Sequence, residues 1–309
     1  MAKKITKPFF AVLEAIRPFQ WIKNLNLFAS AILTGQLFVP EIFSKSIFAF
    51  ITFCFLSSSS YLVNDIVDRN KDRLHPTKKD RPIARGDLSP KLAFLVALSF
   101  VFIGLFIASF INPGFFIISL VFIILQFSYS FIFKKKAVLD IIGIAFFFIL
   151  RAYAGELATG FHLPVWIMLT VIFLSLFIAS GKRRSELFNT GAVTRSALRG
   201  YGKSLLNFYT TMFAVCTLVT YSMFTFFEEK IKFDGVFHDF LLEYFPKAID
   251  RKWYMVTIIP VIFGIMRYGQ IIFEMQEGER PEKTIATDIP LLLSILTWGL
   301  MMIVILYVL

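Results

Sequence analysis

Long apolar runs, separated by short polar segments, follow one another along this chain from about residue 25 to its end. Each run is long enough to cross the hydrocarbon core of a bilayer as a helix, where every backbone N–H and C=O must be bonded within its own segment. The pattern therefore predicts an all-α integral membrane protein with nine transmembrane helices. The predicted ranges are 25–43, 46–64, 91–111, 114–133, 138–158, 163–180, 204–227, 253–273 and 288–309. We expect residues 1–309 to form a single membrane-embedded domain.

Composition and charge support the membrane assignment and indicate an orientation. Hydrophobic residues make up 57% of the chain and charged residues only 17%, whereas a soluble domain is nearer a quarter charged. Most of the 32 Lys and Arg residues fall in the N-terminal segment, 1–24, and in the loops that follow even-numbered helices. The positive-inside rule then places these segments in the cytoplasm, and we expect a bacterial inner membrane. The net charge of +11 is explained by this topology, and it does not indicate a nucleic-acid partner.

An acidic cluster at the end of the second predicted helix is the strongest chemical signal. Asp65, Asp68 and Asp72 are spaced by three and four residues, which places them on one helix face. Stacked like charges repel each other, but a divalent cation such as Mg²⁺ binds carboxylate oxygens and often shares them with substrate phosphates. The alternative is a solvated acidic face beside the membrane. The many basic residues that follow in the same loop favour a metal-bridged phosphate.

Basic clusters occur in the loops at the same end of the predicted bundle. Any one of them would be explained as a determinant of topology. Together with the carboxylates they predict a water-facing cavity that opens to the cytoplasm and binds phosphate groups. We expect the active-site loops to be 64–91 and 181–203. Arg151, Glu156 and Arg267 lie within predicted helices, where charges face a cavity or each other, so a structural Arg151–Glu156 pair and a functional role both stay open.

The string Asn64-Asp65-x-x-Asp68-x-x-x-Asp72 resembles the first aspartate-rich motif of the UbiA superfamily of intramembrane prenyltransferases. The flanking strings resemble, more narrowly, the branch that makes a polyprenyl-phosphoryl phosphoribose. Those strings are Arg17-Pro18-x-Gln20-Trp21-x-Lys23-Asn24, Tyr61-Leu62-x-Asn64-Asp65, His75-Pro76-Thr77-Lys78-x-x-Arg81-Pro82-Ile83-Ala84, Tyr129-Ser130, Lys134, Val138-Leu139-Asp140, Leu150-Arg151-Ala152-x-Ala154-Gly155 and Gly181-Lys182-Arg183-x-x-Glu186-Leu187. This resemblance covers nearly the whole chain.

The resemblance implies a nine-helix UbiA-type bundle and a specific reaction. The donor would be 5-phosphoribosyl 1-diphosphate and the acceptor a polyprenyl, decaprenyl-like phosphate, and a homo-oligomer is left open. Mg²⁺ would be held by Asp65, Asp68 and Asp72, which together with Asn64 are the implied catalytic residues. The residues implied to bind substrate are Gln20, Lys23, Arg73, Lys78, Arg81, Tyr129, Lys134, Lys182 and Arg183.

One position departs from the superfamily pattern. Members that use a prenyl diphosphate as electrophile carry a second aspartate-rich motif after the sixth helix, where this chain reads Gly181-Lys182-Arg183-Arg184-Ser185-Glu186. One acidic and three basic side chains favour direct binding of phosphate groups that carry no metal ion. This departure disfavours the first alternative function, a prenyltransferase that alkylates an aromatic acceptor. The second alternative, a transporter or channel, predicts ionisable residues near the middle of the membrane, whereas most charges here lie at one end.

Overall fold

The computed structural model describes residues 8–74, 78–190, 196–228, 243–248 and 251–308, and these residues contain helices and no strands. Residues 1–7 of the predicted N-terminal segment, and 75–77 and 191–195 of the predicted active-site loops, lie outside the described part. The helices longer than three residues are α1 Pro8–Ala15, the 3₁₀ segment Pro18–Phe28, α2 Ala29–Leu33, α3 Pro40–Asp72, α4 Pro82–Arg85, α5 Pro90–Ile111, α6 Pro113–Phe131, α7 Leu139–Thr159, α8 Val165–Thr190, the 3₁₀ turns Ser196–Gly200 and Trp253–Thr257, α9 Lys203–Phe227, α10 Ile258–Gln270 with the π-helical turn Ile271–Met275, α11 Pro281–Thr287 and α12 Ile289–Tyr307.

Eight helical segments in the described part are long and apolar enough to cross a bilayer. The prediction of an all-α membrane protein is therefore confirmed. Several of these segments begin with a proline in their first turn behind a capping side chain, such as Ser89, Asn112 and Asp288, each of which accepts a bond from a backbone N–H of the first turn. Their apolar outer faces are exposed, as in Phe102 and Phe110 of α5, because they face lipid in the membrane.

The first predicted helix, 25–43, is not a single helix. The chain forms the 3₁₀ segment Pro18–Phe28 and then α2, turns at Gly35, where φ is +71°, and begins α3 at Pro40. A 3₁₀ helix rises about 2 Å per residue, so the 3₁₀ segment and α2 together extend about 30 Å, which matches the hydrocarbon thickness. The prediction of nine transmembrane helices stays a prediction, because this segment consists of two short helices and is not one of the eight long apolar helices.

Contacts with α7 explain why this segment is extended as a 3₁₀ helix. The Asn26 side chain donates to the Phe148 carbonyl at 2.9 Å, and the Ser30 hydroxyl lies 2.6 Å from that of Thr159. Between these bonds, Gly155 allows the two backbones to meet, since a Cβ there would lie 2.3 Å from the Leu27 carbonyl oxygen. This segment therefore packs its backbone closely against α7 and adopts a 3₁₀ conformation instead of a regular α-helix.

Two predicted helix ends are corrected by the structure. The second predicted helix was expected to stop at residue 64 and the sixth at 180, but α3 continues to Asp72 and α8 to Thr190. The residues 65–72 and 181–190 are therefore helical rather than parts of loops. The reason is that a helix can continue beyond the hydrocarbon when its charged side chains face a polar cavity. With 33 residues, α3 is about 50 Å long and extends well past the apolar layer.

Aromatic side chains fill the centre of the bundle below the cavity. Phe53 of α3 packs against Phe122 of α6 with ring centroids 4.6 Å apart, and Phe122 packs against Phe147 of α7 at 5.9 Å. Phe53 and Phe122 are completely buried. This cluster joins three helices and supports the helical faces that line the site.

Candidate functional site

A cavity of about 560 Å³ opens at the end of the bundle where α3 ends. Every predicted site residue except Arg73 lines it: Gln20, Lys23, Asn64, Asp65, Asp68, Asp72, Lys78, Arg81, Tyr129, Lys134, Lys182 and Arg183. Arg73 instead donates its Nε hydrogen to the Ala84 carbonyl at 2.9 Å, which attaches the end of α3 to α4. The structure thus brings the predicted acidic and basic residues into one cavity.

The carboxylates of α3 are held by cationic side chains. Asp65, which is 2% exposed, accepts bonds from Arg17 at 2.7 Å and from Arg81 at 2.9 Å. The same Arg81 nitrogen lies 2.7 Å from an oxygen of Asp72. The carboxylates of Asp65 and Asp72 therefore converge on one position, where a cationic nitrogen now lies. Arg17 was not among the predicted site residues, although it belongs to one of the strings that carried the resemblance.

Asp68, the middle carboxylate of the motif, has a separate partner. The ammonium of Lys134 lies 2.8 Å from both oxygens of Asp68 and donates to the side-chain oxygen of Asn64 at 3.0 Å. Lys134 comes from the short connection between α6 and α7 and is itself buried. Asn64 and Asp68 are thus fixed together by one lysine.

These residues suit a hard divalent cation in their chemistry, because carboxylate oxygens are the ligands it prefers. The convergence of Asp65 and Asp72 on one cationic nitrogen shows that two of these carboxylates can share a positive charge. Within the described residues, no three His, Cys, Asp or Glu side chains form a metal-holding group. Asp68 therefore points to Lys134 rather than to a position common to all three aspartates.

A basic part of the cavity lies beside the helix that follows the π-helical turn. The Gln20 side chain donates to Glu282 of α11 at 2.5 Å, and the Lys23 ammonium lies 3.3 Å from the other Glu282 oxygen. Burial raises the pKa of Glu282, but attraction to Lys23 and Lys182 outweighs it and lowers this pKa to about 2. Glu282 is therefore ionised at neutral pH and neutralises lysines that were predicted to bind phosphate.

The sequence prediction does not include Glu282, because residues 274–287 lie in the connection between two predicted helices. The structure anchors this connection to α8: the Ser185 hydroxyl accepts the N–H of Gly278 at 3.1 Å, and the Asn189 amide donates to the Gln276 carbonyl at 3.0 Å. The available signal was the density of mixed charges in this connection, on the same side as the carboxylates.

Arg183 is the most completely buried of the predicted phosphate-binding residues. Its Nε lies 2.5 Å from an oxygen of Asp140, its Nη1 pairs with Glu186, and its Nη2 donates to the Tyr129 hydroxyl at 3.3 Å. Asp140 also accepts a bond from the Tyr201 hydroxyl at 2.5 Å. Burial and the Asp140 carboxylate raise the pKa of Tyr201, so this hydroxyl remains a donor. Arg183 is thus already neutralised within the protein, and it supports Tyr129 at the edge of the cavity.

We expect Asp140→Asn to lower the free energy of unfolding by about 3 kcal/mol, because it removes one carboxylate from a buried ion pair and leaves Arg183 less compensated. Thermal or denaturant unfolding of the solubilised protein would measure this loss. Tyr201→Phe provides the comparison, since it removes only a hydrogen bond and should cost about 1 kcal/mol. Equal stability of Asp140→Asn and the wild type would show that the Arg183–Asp140 pair contributes nothing to the fold.

The two other intramembrane charges considered in the sequence have local partners. Arg267 of α10 pairs with Asp288 at 2.7 Å, and bonding to this arginine lowers the pKa of Asp288. Glu156 accepts the backbone N–H of Leu163 at 2.7 Å and lies 3.6 Å from the His162 ring. The Arg151–Glu156 pair considered as an alternative is not formed.

Comparison with known proteins identifies the family and the fold. The model of the UbiA prenyltransferase family matches residues 27–231. The chain is 36% identical over 294 residues to the decaprenyl-phosphate phosphoribosyltransferase of Mycolicibacterium smegmatis, which covers 93% of this chain and 89% of that protein. The protein of the same name from Corynebacterium glutamicum is 31% identical over 304 residues, 96% of this chain and 87% of that one. A UbiA homolog from Archaeoglobus fulgidus, solved bound to GPP and Mg²⁺, has the same fold with a TM-score of 0.63 at 19% identity, over 88% of this chain and 99% of that chain.

Proposed function

Because the chain belongs to the UbiA prenyltransferase family and is an integral membrane transferase, we propose that it transfers 5-phosphoribose from 5-phosphoribosyl 1-diphosphate to a polyprenyl phosphate and releases diphosphate. The names of the relatives at 31–36% identity support this choice of donor and acceptor class. The observation that carries the proposal is the composition of one cavity: it combines the carboxylates of α3 with Lys23 and Lys182, which can bind a phosphate directly.

The acidic cluster is proposed to bind the diphosphate end of the donor through Mg²⁺, held by Asp65, Asp68 and Asp72. Asp65 and Asp72 would hold the ion at the position they already share, and Asp68 would join them only after it exchanges Lys134 for the ion. The Mg²⁺-bound homolog from A. fulgidus supports a divalent cation in this fold. When bound, the cation would neutralise the negative charge that grows on the leaving diphosphate. Arg17, Arg81 and Lys134 hold the carboxylates in position until the donor arrives, because each lies within hydrogen-bond distance of at least one of them.

The remaining residues act by holding phosphates in place. Departure of diphosphate develops positive charge on the anomeric carbon, as in other glycosyl transfers. The acceptor phosphate is already anionic at neutral pH, so it needs positioning more than a general base, and positioning supplies much of the rate gain. Gln20, Lys23 and Lys182 are the proposed ligands of a phosphate that carries no metal.

The same proposal includes an orientation. The excess of Lys and Arg in alternate connections supports a cavity that faces the cytoplasm of a bacterial inner membrane, where a soluble sugar phosphate can enter. The polyprenyl chain would lie along the apolar outer faces of the helices, in the bilayer.

The direct test is to incubate the purified protein with 5-phosphoribosyl 1-diphosphate, farnesyl or decaprenyl phosphate and Mg²⁺, and to analyse the lipids by mass spectrometry. We expect a product heavier than the lipid phosphate by one phosphoribosyl group, and none when Mg²⁺ is chelated. A parallel incubation with geranyl diphosphate and 4-hydroxybenzoate tests aromatic prenylation. A product only in that second incubation would contradict the proposal.

A further inference from the structure

Arg151 lines the inner end of the cavity. It is in the middle of α7, about 16 Å along the helix from Asp140, and is 3% exposed. Its guanidinium lies over the ring of Phe122 at 5.0 Å and near that of Phe148 at 5.8 Å. Gln126 lines the cavity beside it. We call this inner end, lined by Gln126, Phe147, Phe148 and Arg151, the cavity floor.

The charge of Arg151 has no anionic partner among the residues that the structure describes. Its Nε donates to the side-chain oxygen of Asn24 at 2.7 Å, its Nη1 to the Phe147 carbonyl at 2.8 Å and its Nη2 to the Ser57 hydroxyl at 3.2 Å. All three acceptors are neutral. An arginine stays protonated in proteins, and its planar fork has N–H groups beyond those used in these bonds.

Two other arginines of the described residues are buried, and neither resembles Arg151 in both partners and position. Arg183 lines the cavity but pairs with two carboxylates, whereas Arg184 donates to the neutral Asn207 side chain and Ile272 carbonyl but does not line the cavity. A charge in the apolar interior of a membrane protein is costly unless an anion compensates it, and such residues usually face a cavity or a substrate path. Arg151 is buried and lines the cavity, but no carboxylate among the described residues pairs with it.

We propose that Arg151 binds a phosphate monoester of a substrate at the cavity floor, a binding site separate from the metal-bridged diphosphate. This inference rests on the proposed function, which supplies two phosphate monoesters that need no metal: the 5-phosphate of the donor and the phosphate of the lipid acceptor. Asn24 and Ser57 orient the guanidinium, and the rings of Phe122 and Phe148 exclude water from it, which strengthens its attraction for an anion.

The test measures binding rather than turnover, so that it is independent of whether the proposed reaction occurs. Ribose 5-phosphate represents the donor phosphate and farnesyl phosphate represents the lipid phosphate. Isothermal titration of the solubilised wild-type protein with each probe gives two dissociation constants. We expect Arg151→Gln to raise one of them at least tenfold and to change the other less than twofold, and the affected probe identifies the source of the phosphate.

Two further variants separate binding from a structural role. Arg151→Lys keeps the charge but loses the fork, so it should give a smaller increase for the same probe only. Arg267→Gln makes the same substitution at an arginine that does not line the cavity, and should leave both constants within about twofold of the wild type. If Arg151→Gln does not fold, the dissociation constants of Arg151→Lys test the proposal in its place. Wild-type constants for both probes in a folded Arg151 variant, or no binding of either probe to the wild type, would overturn the proposal.

Discussion

Asp65→Asn and Asp68→Asn are each expected to reduce turnover by more than about 100-fold while the protein remains folded. Asparagine keeps the shape of the side chain but carries no charge, so it binds a divalent cation poorly and no longer balances Arg17, Arg81 or Lys134. The measurement is the rate of phosphoribosyl transfer over a range of Mg²⁺ concentrations, with the thermal midpoint of each variant. Half-saturation by Mg²⁺ should move to higher concentration in both variants.

Asp87→Asn is the matched control for this experiment. Asp87 accepts a bond from Arg85 at 2.6 Å in the same connection between α3 and α5, and it does not line the cavity. The control should therefore keep near-normal turnover and Mg²⁺ dependence. Substantial activity of both cavity variants at saturating Mg²⁺ would show that these carboxylates are only counter-ions for the surrounding basic residues.

Lys182→Gln and Lys23→Gln should each lower kcat/KM for one substrate at least about tenfold, on the estimate that a charge-assisted contact contributes about 1.5–3 kcal/mol. Both lysines interact with Glu282, so the cavity holds a carboxylate beside two ammonium groups that a phosphate can use instead. Metal dependence should hardly change, because the aspartates of α3 lie in another part of the cavity. Steady-state kinetics with each substrate varied in turn would show which phosphate is bound.

Lys203→Gln serves as the control for lysine loss at this end of the bundle. Its ammonium lies 4.5 Å from the centroid of the Phe188 ring, and the residue does not line the cavity. Arg183→Gln should behave differently from Lys182→Gln, with a loss of folded protein, since Arg183 is enclosed by Asp140 and Glu186. Near-native kinetics of Lys182→Gln and Lys23→Gln for both substrates would reduce these lysines to topology determinants.

The sequence was sufficient for features that depend on local spacing. The apolar runs predicted the membrane helices, and the spacing of Asp65, Asp68 and Asp72 placed them on one face of α3, which the structure turns toward the cavity. Both signals are properties of a single helix, so no knowledge of its neighbours was needed. The basic residues of the other segments line the same cavity because α6, α8 and the 3₁₀ segment bring them to the same end of the bundle.

Features that depend on contacts between distant segments were missed. The pairing of Arg183 with Asp140, and of Lys23 with Glu282, joins residues on different helices, and nothing in the local pattern marks either acid as a partner. A structural Arg151–Glu156 pair was one of the two alternatives left open, but Glu156 instead accepts the backbone N–H of Leu163 in the α7–α8 connection. The broken first helix was also missed, since its cause is the approach of Leu27 to Gly155 of α7.

The 3₁₀ segment also limits the order in which the protein can be assembled. A chain leaves the ribosome from its N-terminus, so Asn26 and Ser30 are made 122 and 129 residues before their partners Phe148 and Thr159. Until α7 has entered the bilayer, these polar groups and the stretched backbone around them lack the bonds that lipid cannot supply. The segment that brings Gln20 and Lys23 to the cavity can therefore reach its final position only after the first half of the bundle has been inserted. Completion of the candidate cavity is therefore a late step of biogenesis, although the segment that carries Gln20 and Lys23 is synthesised before α7.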